Sequence, residues 1–273
     1  MSLKGFRISH TGLIPLLAAE ESLDEFTRGL PQGFYTTFIT NSGGMKVLGL
    51  KGHLDRLYLP AGMAGIRPSI DRVGLCKLLA SLIQVNSPND SRIRLILARR
   101  SGEIFVGLQP FRALGASVYA NGVRVRTIEM ARHDPCIKGT DFITESAAQR
   151  NLLSRDIFEI LMTHKNRMLE GLTSNFFAIK GSALITARQG VLLGVTRKAV
   201  LKLARGQGMQ IAYRAPAVHE KFNEAFLTSS SRGVVPIVSI DGHPVGEGRV
   251  GVWTKRLSQV YQAYVEEGSE SLT

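Results

Sequence analysis

One lysine of this chain stands in a setting that could make it a nucleophile. Lys138 follows Cys136 and Ile137 and precedes Gly139, just ahead of a segment patterned as a helix. Burial disfavours a charged ammonium, and a neutral lysine amine can form a Schiff base with a carbonyl carbon. Most lysines beside apolar residues only extend their ammonium to solvent, so Lys138 needs partners elsewhere in the chain.

Three stretches of the second half could supply those partners. Glu170, followed by a glycine, could keep a ring nitrogen protonated, although an exposed hairpin glutamate would look the same. The helix start Gly194-Val195-Thr196-Arg197 offers backbone N–H groups and a hydroxyl for a phosphate, although an ordinary helix cap has this pattern too. The run Thr228–Ser231 adds hydroxyls after a strand, or is simply a polar loop.

Taken together, these groups suit one ligand. An aldehyde for the lysine, a basic ring nitrogen for the glutamate and a phosphate for the helix start are the parts of pyridoxal 5′-phosphate. The residues therefore predict this cofactor, and we expect no metal.

Composition limits the classes of protein that fit. The 273 residues are 44% hydrophobic and 21% charged, as in globular proteins, and are enough for one large domain or two ordinary ones. No apolar run approaches the roughly 18–20 residues that cross a bilayer, and the N-terminal residues lack a signal-peptide core. We expect a cytoplasmic protein without a membrane partner.

The formal net charge of +12 raises the possibility of nucleic-acid binding. The basic residues are scattered, however, and no run of five or more occurs. We therefore expect no nucleic-acid partner and attribute the charge to the general surface and to small anionic ligands. A non-catalytic anion- or nucleic-acid-binding protein remains a remote alternative.

The periodicity of apolar residues predicts an α/β (α+β) protein of two domains. Strand and hairpin patterns with two amphipathic helices fill residues 1–117, the smaller domain. Residues 118–273 form the larger one, which begins its main part with a helix over 144–154. We expect Cys136 to be a small buried side chain.

The chain resembles the class IV aminotransferases, the fold-type IV family that works with pyridoxal phosphate. This family includes branched-chain and D-amino-acid aminotransferases and aminodeoxychorismate lyase. The resemblance runs from about residue 30 to the end, and five stretches carry it: Gly52–Leu57, Ile137–Phe142, Leu169–Phe177, Gly194–Arg197 and Val245–Arg256.

The resemblance implies a role for each matched residue. Lys138 corresponds to the Schiff-base lysine, and Glu170 to the partner of the pyridine nitrogen. The remaining matches bind the cofactor phosphate: Arg56, Val195, Thr196 and Ser230. His53 lies in the same motif as Arg56, and we assign it a structural role at a helix start. The resemblance also implies two domains with the cofactor in the cleft between them, and a homodimer.

Substrate identity is less well marked. We predict that the substrate side includes Tyr35, Arg94, Arg99 and Phe142. The run Tyr35-Thr-Thr and the segment Arg99–Gly102 are similar to the lyases, whereas Glu170–Phe177 and the C-terminal stretch are similar to the aminotransferases. The sequence favours transamination between an amino acid and a 2-oxo acid, of branched-chain or related type. Release of 4-aminobenzoate and pyruvate by an aminodeoxychorismate lyase is the alternative.

Overall fold

The computed structural model describes residues 3–17, 20–85 and 89–272 and confirms the α+β class. Its strands are β1 (Lys4–Ser9), β2 (Gly12–Leu16), β3 (Gly33–Asn41), β4 (Lys46–Leu48), β5 (Ser91–Ala98), β6 (Ile104–Pro110), β7 (Val123–Glu129), β8 (Glu159–His164), β9 (Arg167–Gly171), β10 (Asn175–Lys180), β11 (Ala183–Thr186), β12 (Gln210–Tyr213), β13 (Glu224–Ser229), β14 (Gly233–Ile240), β15 (His243–Pro244) and β16 (Ser269–Ser271). Its helices are α1 (Leu23–Arg28), α2 (Leu50–Met63), α3 (Arg72–Gln84), α4 (Ala116–Asn121), α5 (Asp141–Glu145), α6 (Ala147–Arg150), α7 (Val195–Gly206) and α8 (Val252–Gly268).

The chain divides into two compact units that do not follow one cut in the sequence. The first comprises Met1–Arg112, Ile137–Glu145 and Glu267–Thr273, and the second comprises Ala113–Cys136 and Ser146–Glu266. The segment that carries Lys138 therefore groups with the N-terminal unit. The division into domains 1–117 and 118–273 stays a prediction.

The first unit is built on a seven-stranded sheet with the order β16-β4-β3-β5-β6-β1-β2, which leaves β2 at an edge. Helix α2 contributes Leu50, Leu54, Leu57 and Ala61 to the buried core, at the spacing of one helix face. Helix α3 begins where the Asp71 side chain accepts a hydrogen bond from the Gly74 amide.

The second unit is built on a nine-stranded sheet with the order β12-β11-β10-β13-β14-β7-β8-β9, with β15 added to β14. A further pairing of β9 with β10 closes six of these strands into a ring. The pairing that closes it joins Glu170 to Asn175. Glu170 thus lies near the end of a strand, at the seam of the ring.

Two local predictions were wrong, and one hairpin was missed. The helix predicted over 144–154 is two short helices, α5 and α6, because the chain turns at the buried Ser146, whose hydroxyl accepts a hydrogen bond from Arg150. Cys136 is exposed rather than buried. The β1–β2 hairpin, in a segment of mixed composition, was not predicted.

Within the described residues, no helix combines the length and the apolar character that a membrane crossing requires. The same part of the chain holds no group of three or more histidine, cysteine, aspartate or glutamate side chains arranged to bind a metal ion.

Candidate active site

Lys138 is held beside the first residues of β3. The Tyr35 amide donates to the Lys138 carbonyl at 2.8 Å, and Gly139 forms a bridge with Phe34. The Thr140 side chain accepts a hydrogen bond from the Gly33 amide at 2.9 Å. These bonds hold the backbone from the Lys138 carbonyl to Thr140 against β3.

The half-buried Lys138 ammonium lies over an aromatic ring. Its Nζ atom is 4.9 Å from the centroid of the Tyr35 ring, a cation–π distance. Tyr35, predicted on the substrate side, is therefore brought to the lysine within the first unit.

Gly139, which follows Lys138, makes room for the charged side chains of Arg99 and Asp141. A Cβ atom at residue 139 would lie 2.0 Å from Asp141 Oδ1 and 2.8 Å from Arg99 Nη2. Arg99 stacks on the Phe34 ring at 5.1 Å and approaches Asp141 at 3.6 Å, while its side chain keeps 36% of its exposure. Arg99 thus lies close to the lysine segment, as a substrate-side residue requires.

Arg94 and Phe142, also predicted on the substrate side, are both buried. Arg94 donates to the Asp24 carboxylate at 2.6 Å and to the Thr27 hydroxyl at 3.0 Å, so it ties β5 to α1. Its guanidinium also lies 5.1 Å from the centre of the Tyr35 ring. Phe142 is a buried residue of α5. Their substrate-side role stays a prediction.

His53 and Arg56 lie on α2, and the electrostatic effects of Arg56 and Lys138 reach His53. The His53 ring is hydrogen-bonded to the Thr36 hydroxyl at 2.7 Å and tilted against Phe38. Burial, followed by the charges of Arg56 and Lys138, holds the pKa of His53 well below its usual value. A neutral imidazole that is packed between α2 and β3 fits the structural role that the sequence predicted for His53.

Glu170 is a buried carboxylate surrounded by donors of its own unit. Arg132 donates from Nε to Oε1 at 2.7 Å, and the two side chains are 5% and 2% exposed. The Asn175 amide group and the Leu192 backbone N–H donate to Oε2 at 3.0 and 3.1 Å. The buried negative charge is thereby compensated and held in one orientation.

Glu170 belongs to a row of residues across three strands. Asn175 pairs with Glu170 on one side and with Thr228 on the other, so the three side chains share one face of the sheet. The Oγ1 atom of Thr228 is buried and has no hydrogen-bond partner among the described residues. The row continues toward the hydroxyls that follow β13.

The predicted phosphate donors gather at the start of α7. The helix begins after Gly194, which provides no side-chain cap, so its first N–H groups point to a partner outside the helix. The Thr196 hydroxyl lies 3.4 Å from the Ser230 hydroxyl, and Val195 is half-buried beside it in sequence. The structure therefore brings Thr196 and Ser230 together, as predicted.

This part of the second unit fits a phosphorylated pyridine. Beyond the uncapped helix start, the Nε atom of Arg197 is buried without a hydrogen-bond partner in the described chain. Burial lowers the pKa of Arg197, while Tyr213 and Glu170 raise it. Uncapped N–H groups and hydroxyls suit a dianion, and a compensated carboxylate suits a protonated ring nitrogen.

Two supporting groups were not predicted from the sequence. Arg132 lies 38 residues before Glu170, and nothing in its surroundings marks it as the partner of a carboxylate. Arg232 donates to the fully buried Glu159 at 3.2 Å, to Thr173 and, through Nε, to Ser229 at 3.0 Å. Arg232 thereby joins the turn after Glu170 to the turn that contains Ser230. Arg232 could have been noticed in the sequence because it lies two residues after Ser230.

Comparison with known proteins identifies the family. The model for amino-transferase class IV matches residues 33–240, more than half of the chain. The chain belongs to the class IV aminotransferases. Residue 33 begins β3 and residue 240 ends β14, so every predicted cofactor residue falls within the match.

Relatives within the class IV aminotransferases carry two kinds of name. The putative branched-chain-amino-acid aminotransferase of Methanocaldococcus jannaschii is 26% identical over 234 residues, 78% of this chain and 81% of that protein. The D-alanine aminotransferase of Bacillus licheniformis is 28% identical over 231 residues, with the same coverage of 78% and 81%.

Solved structures share the fold. A putative branched-chain amino acid aminotransferase from Thermotoga maritima has a TM-score of 0.80 at 24% identity and covers 96% of each chain. A hypothetical aminotransferase from Mycobacterium tuberculosis, solved with α-ketoglutarate and PMP bound, has a TM-score of 0.76 at 18% identity over 94% of this chain and 98% of that one. The fold-type IV class is thus confirmed.

Family membership makes the chain an aminotransferase enzyme of a family that uses pyridoxal phosphate. These relatives do not favour the lyase alternative or the non-catalytic one. The roles of individual residues stay predictions.

Proposed function

We propose that this protein transfers amino groups between a branched-chain-type amino acid and a 2-oxo acid, using pyridoxal phosphate and Lys138. The observation that carries the proposal is the setting of Glu170, a buried carboxylate fixed by Arg132, Asn175 and Leu192. Burying a carboxylate costs desolvation free energy, and its three donors fix it in one orientation. In the chemistry of the family, such a carboxylate pairs with the protonated ring nitrogen of the cofactor.

The family match assigns cofactor binding to individual residues. The phosphate would be bound by Arg56, by the backbone N–H groups of Val195 and Thr196, and by the Ser230 hydroxyl. Glu170 would hold a proton on the ring nitrogen. The uncapped start of α7 and the 3.4 Å approach of Thr196 to Ser230 support this assignment.

Bound pyridoxal phosphate draws electrons from a substrate α-carbon and so acidifies its α-hydrogen. Lys138, as a neutral amine, would take that proton from the α-carbon and deliver it to carbon C4′ of the cofactor in the same half-reaction, and would move a proton in the reverse direction in the second half-reaction. The bonds of the Lys138 carbonyl and of Thr140 to β3 hold the backbone that carries this side chain, which suits a group that moves one proton back and forth.

The substrate assignment rests on the relatives. Branched-chain aminotransferases are among the similar proteins by sequence and by structure. D-alanine aminotransferases of comparable identity make D-alanine transamination the second candidate. Tyr35, Arg94, Arg99 and Phe142 remain the proposed substrate-side residues, with Arg99 best supported because its side chain is still partly exposed beside the lysine segment.

The first test replaces the lysine. Lys138→Ala should lower turnover at least about a thousandfold, because a chemical group is removed from both half-reactions. Lys180→Ala, at an exposed lysine of the second unit, should leave turnover unchanged. Normal activity in Lys138→Ala would refute the proposed mechanism.

The amino donor is identified by mixing the holoenzyme with one candidate at a time. L-leucine, L-valine and D-alanine are added without an acceptor, and conversion to the pyridoxamine form is followed by absorbance. Conversion by the branched-chain L-amino acids supports the proposal, and conversion by D-alanine alone supports the second candidate. Pyruvate release from aminodeoxychorismate without an acceptor would contradict both.

A homodimer and a cytoplasmic location complete the proposal. The dimer is supported by the family resemblance, and sedimentation of the holoenzyme at several concentrations measures it. The location is supported by two cysteines that form no disulfide, as a reducing compartment favours.

A further inference from the structure

Asn175 links the predicted partner of the ring nitrogen to the segment that leads into the predicted phosphate site. Its amide nitrogen donates to the Glu170 carboxylate at 3.0 Å and to the Leu192 carbonyl at 2.7 Å. Because both partners are acceptors, the two N–H groups are both used and the orientation of the amide is fixed. Asn175 is buried at the start of β10. It therefore joins β9 to the segment before α7.

Leu192 completes this link with its own backbone. Its N–H group donates to Glu170 Oε2 at 3.1 Å, the same oxygen that accepts from Asn175. The three residues therefore form a closed set of hydrogen bonds, with Leu192 donating to one partner and accepting from the other. Gly194, at the cap of α7, lies two residues further along the chain. A shift of the Glu170 carboxylate should therefore be accompanied by a shift of this helix start.

Gly194 brings the helix start directly against the Asn175 side chain. A Cβ atom at residue 194 would overlap Asn175 Oδ1. Apart from adjoining residues, the nearest atom of any other residue, Arg197 Cβ, would be 3.3 Å away. Gly194 has a φ of −56° and a ψ of 147°, angles that residues with side chains also adopt. The glycine is thus required by the closeness of Asn175 and not by its own backbone conformation.

We propose that Asn175 is a positioning residue that sets the separation between Glu170 and the start of α7. A rigid ring and a short arm join the ring nitrogen of pyridoxal phosphate to its phosphate. A protein that binds both groups at once must therefore hold its own groups at a matching separation. This inference rests on the proposed function, since it assumes that Glu170 pairs with the ring nitrogen and that the start of α7 binds the phosphate.

The test compares pyridoxal phosphate with pyridoxal, which has the ring nitrogen but lacks the phosphate. Dissociation constants of both ligands are measured for the wild-type apoenzyme, for Asn175→Ala and for the control Asn223→Ala. Asn223 also joins two segments of the second unit, because its side chain accepts a hydrogen bond from the Gly181 amide at 2.8 Å. It is exposed, however, and has no part in the contacts of Glu170.

Asn175→Ala should bind pyridoxal phosphate about tenfold more weakly and pyridoxal less than about threefold more weakly. The loss falls mainly on the ligand that carries both groups, because the ring and phosphate contacts are no longer made together. The control should match wild type for both ligands. Equal weakening of the two ligands, as a merely structural defect would cause, or no weakening of either overturns the inference.

Gly194→Ala disturbs the same link from the other side. Its methyl group would displace the Asn175 amide, so the preference for pyridoxal phosphate over pyridoxal should fall in this variant too. The double variant should bind pyridoxal phosphate within about twofold of Asn175→Ala, because the methyl group then meets no amide. Additive losses would show that the two residues act separately and would overturn the proposed role. If Asn175→Ala does not fold, an unchanged preference in Gly194→Ala refutes the link.

Failure of this inference can be told apart from failure of the proposed function. A wild-type protein that binds pyridoxal phosphate no better than pyridoxal has no phosphate site, and the proposed function fails with it. A wild-type protein that prefers pyridoxal phosphate, with the same preference in Asn175→Ala, overturns only the role of Asn175.

Discussion

At the scale of single residues, Glu170 shows how a charge can be kept inside a protein. A buried ion pair adds little net stability, because desolvation offsets the attraction between the charges. Removing one member of the pair is strongly destabilising, because the other charge is then left in the interior without its partner. Glu170 and Arg132 are 2% and 5% exposed, so each depends on its partner.

The change Glu170→Gln keeps the shape and removes the charge. We expect the free energy of unfolding to fall by about 3–5 kcal/mol, because the Arg132 guanidinium loses its counter-charge. Turnover should fall about a hundredfold or more, as the ring nitrogen loses its partner. Urea unfolding and steady-state kinetics measure the two effects.

Glu247→Gln is the matched control for that change. Glu247 is exposed and pairs only with the neighbouring exposed Arg249 among the salt bridges observed in the described chain. Its replacement should alter stability by less than about 0.5 kcal/mol. Full turnover in Glu170→Gln would rule out the proposed role of this carboxylate.

His53 should make stability depend on pH. Its pKa lies well below 6.5 in the folded chain and near 6.5 in the unfolded chain, so only the unfolded chain takes up a proton just below that pH. Unfolding is therefore favoured as the pH falls from about 6.5 toward the folded pKa, by up to about 1.4 kcal/mol per pH unit.

Urea unfolding of wild type and His53→Gln across this range measures the contribution of His53. The variant should show a shallower decline with falling pH, and replacement of the exposed His243 should not change the slope. Parallel curves for wild type and His53→Gln would contradict the prediction.

At the scale of elements, the second unit is organised around turns at one edge of its strand ring. The turn after β9 follows Glu170, and the turn after β13 contains Ser230. Arg232 connects them, because it contacts Thr173 of the first turn and Ser229 of the second while pairing with Glu159. The two turns should therefore shift together.

The change Arg232→Ala should destabilise the protein by about 3–5 kcal/mol, because Glu159 is fully buried and would lose its cation. Arg232→Lys keeps the charge but cannot donate to Glu159 and Ser229 at once, so it should recover only part of the loss. Chemical denaturation measures both. An unchanged midpoint in Arg232→Ala would show that the connection is not structural.

Several of these elements could be predicted from the sequence, and others could not. Helices α2 and α3 carry apolar residues at helical spacing, and Asp71 marks the start of the second. The break at Ser146 could not be read, because its cause is burial of that side chain. Local patterns report which face is apolar but not which side chain a fold will enclose.

The candidate site divides in the same way. Lys138, Glu170 and Thr196 lie in continuous motifs, so their neighbours in the chain identified them. Arg132 and Arg232 support the site from distant positions in the sequence, and strand pairing brings their partners near. A single sequence holds no local trace of such contacts.

At the scale of the whole molecule, the +12 charge has a plain consequence for ligands. A basic surface attracts anions such as amino-acid carboxylates and phosphates, and this attraction weakens as salt screens it. The excess positive charge therefore accords with a phosphorylated cofactor and carboxylate substrates.

Cofactor binding should stabilise the entire fold. A ligand that binds only the folded chain adds about 2.7 kcal/mol to the free energy of unfolding at a hundred times its dissociation constant. Urea unfolding with and without pyridoxal phosphate should show this gain in wild type and a smaller one in Lys138→Ala, which lacks the covalent link. No gain in wild type would mean that the folded protein does not bind the cofactor.

The edge strand β2 contains Pro15, and this has a consequence for how molecules associate at high concentration. An outer strand with exposed leucines, here Leu13 and the following Leu17, is a template on which strands of other molecules can stack into aggregates. Proline has no N–H to offer a neighbouring strand. Pro15 therefore opposes fibre growth at this edge. A β-branched residue at position 15 would restore an N–H group to which a strand of another molecule could bind.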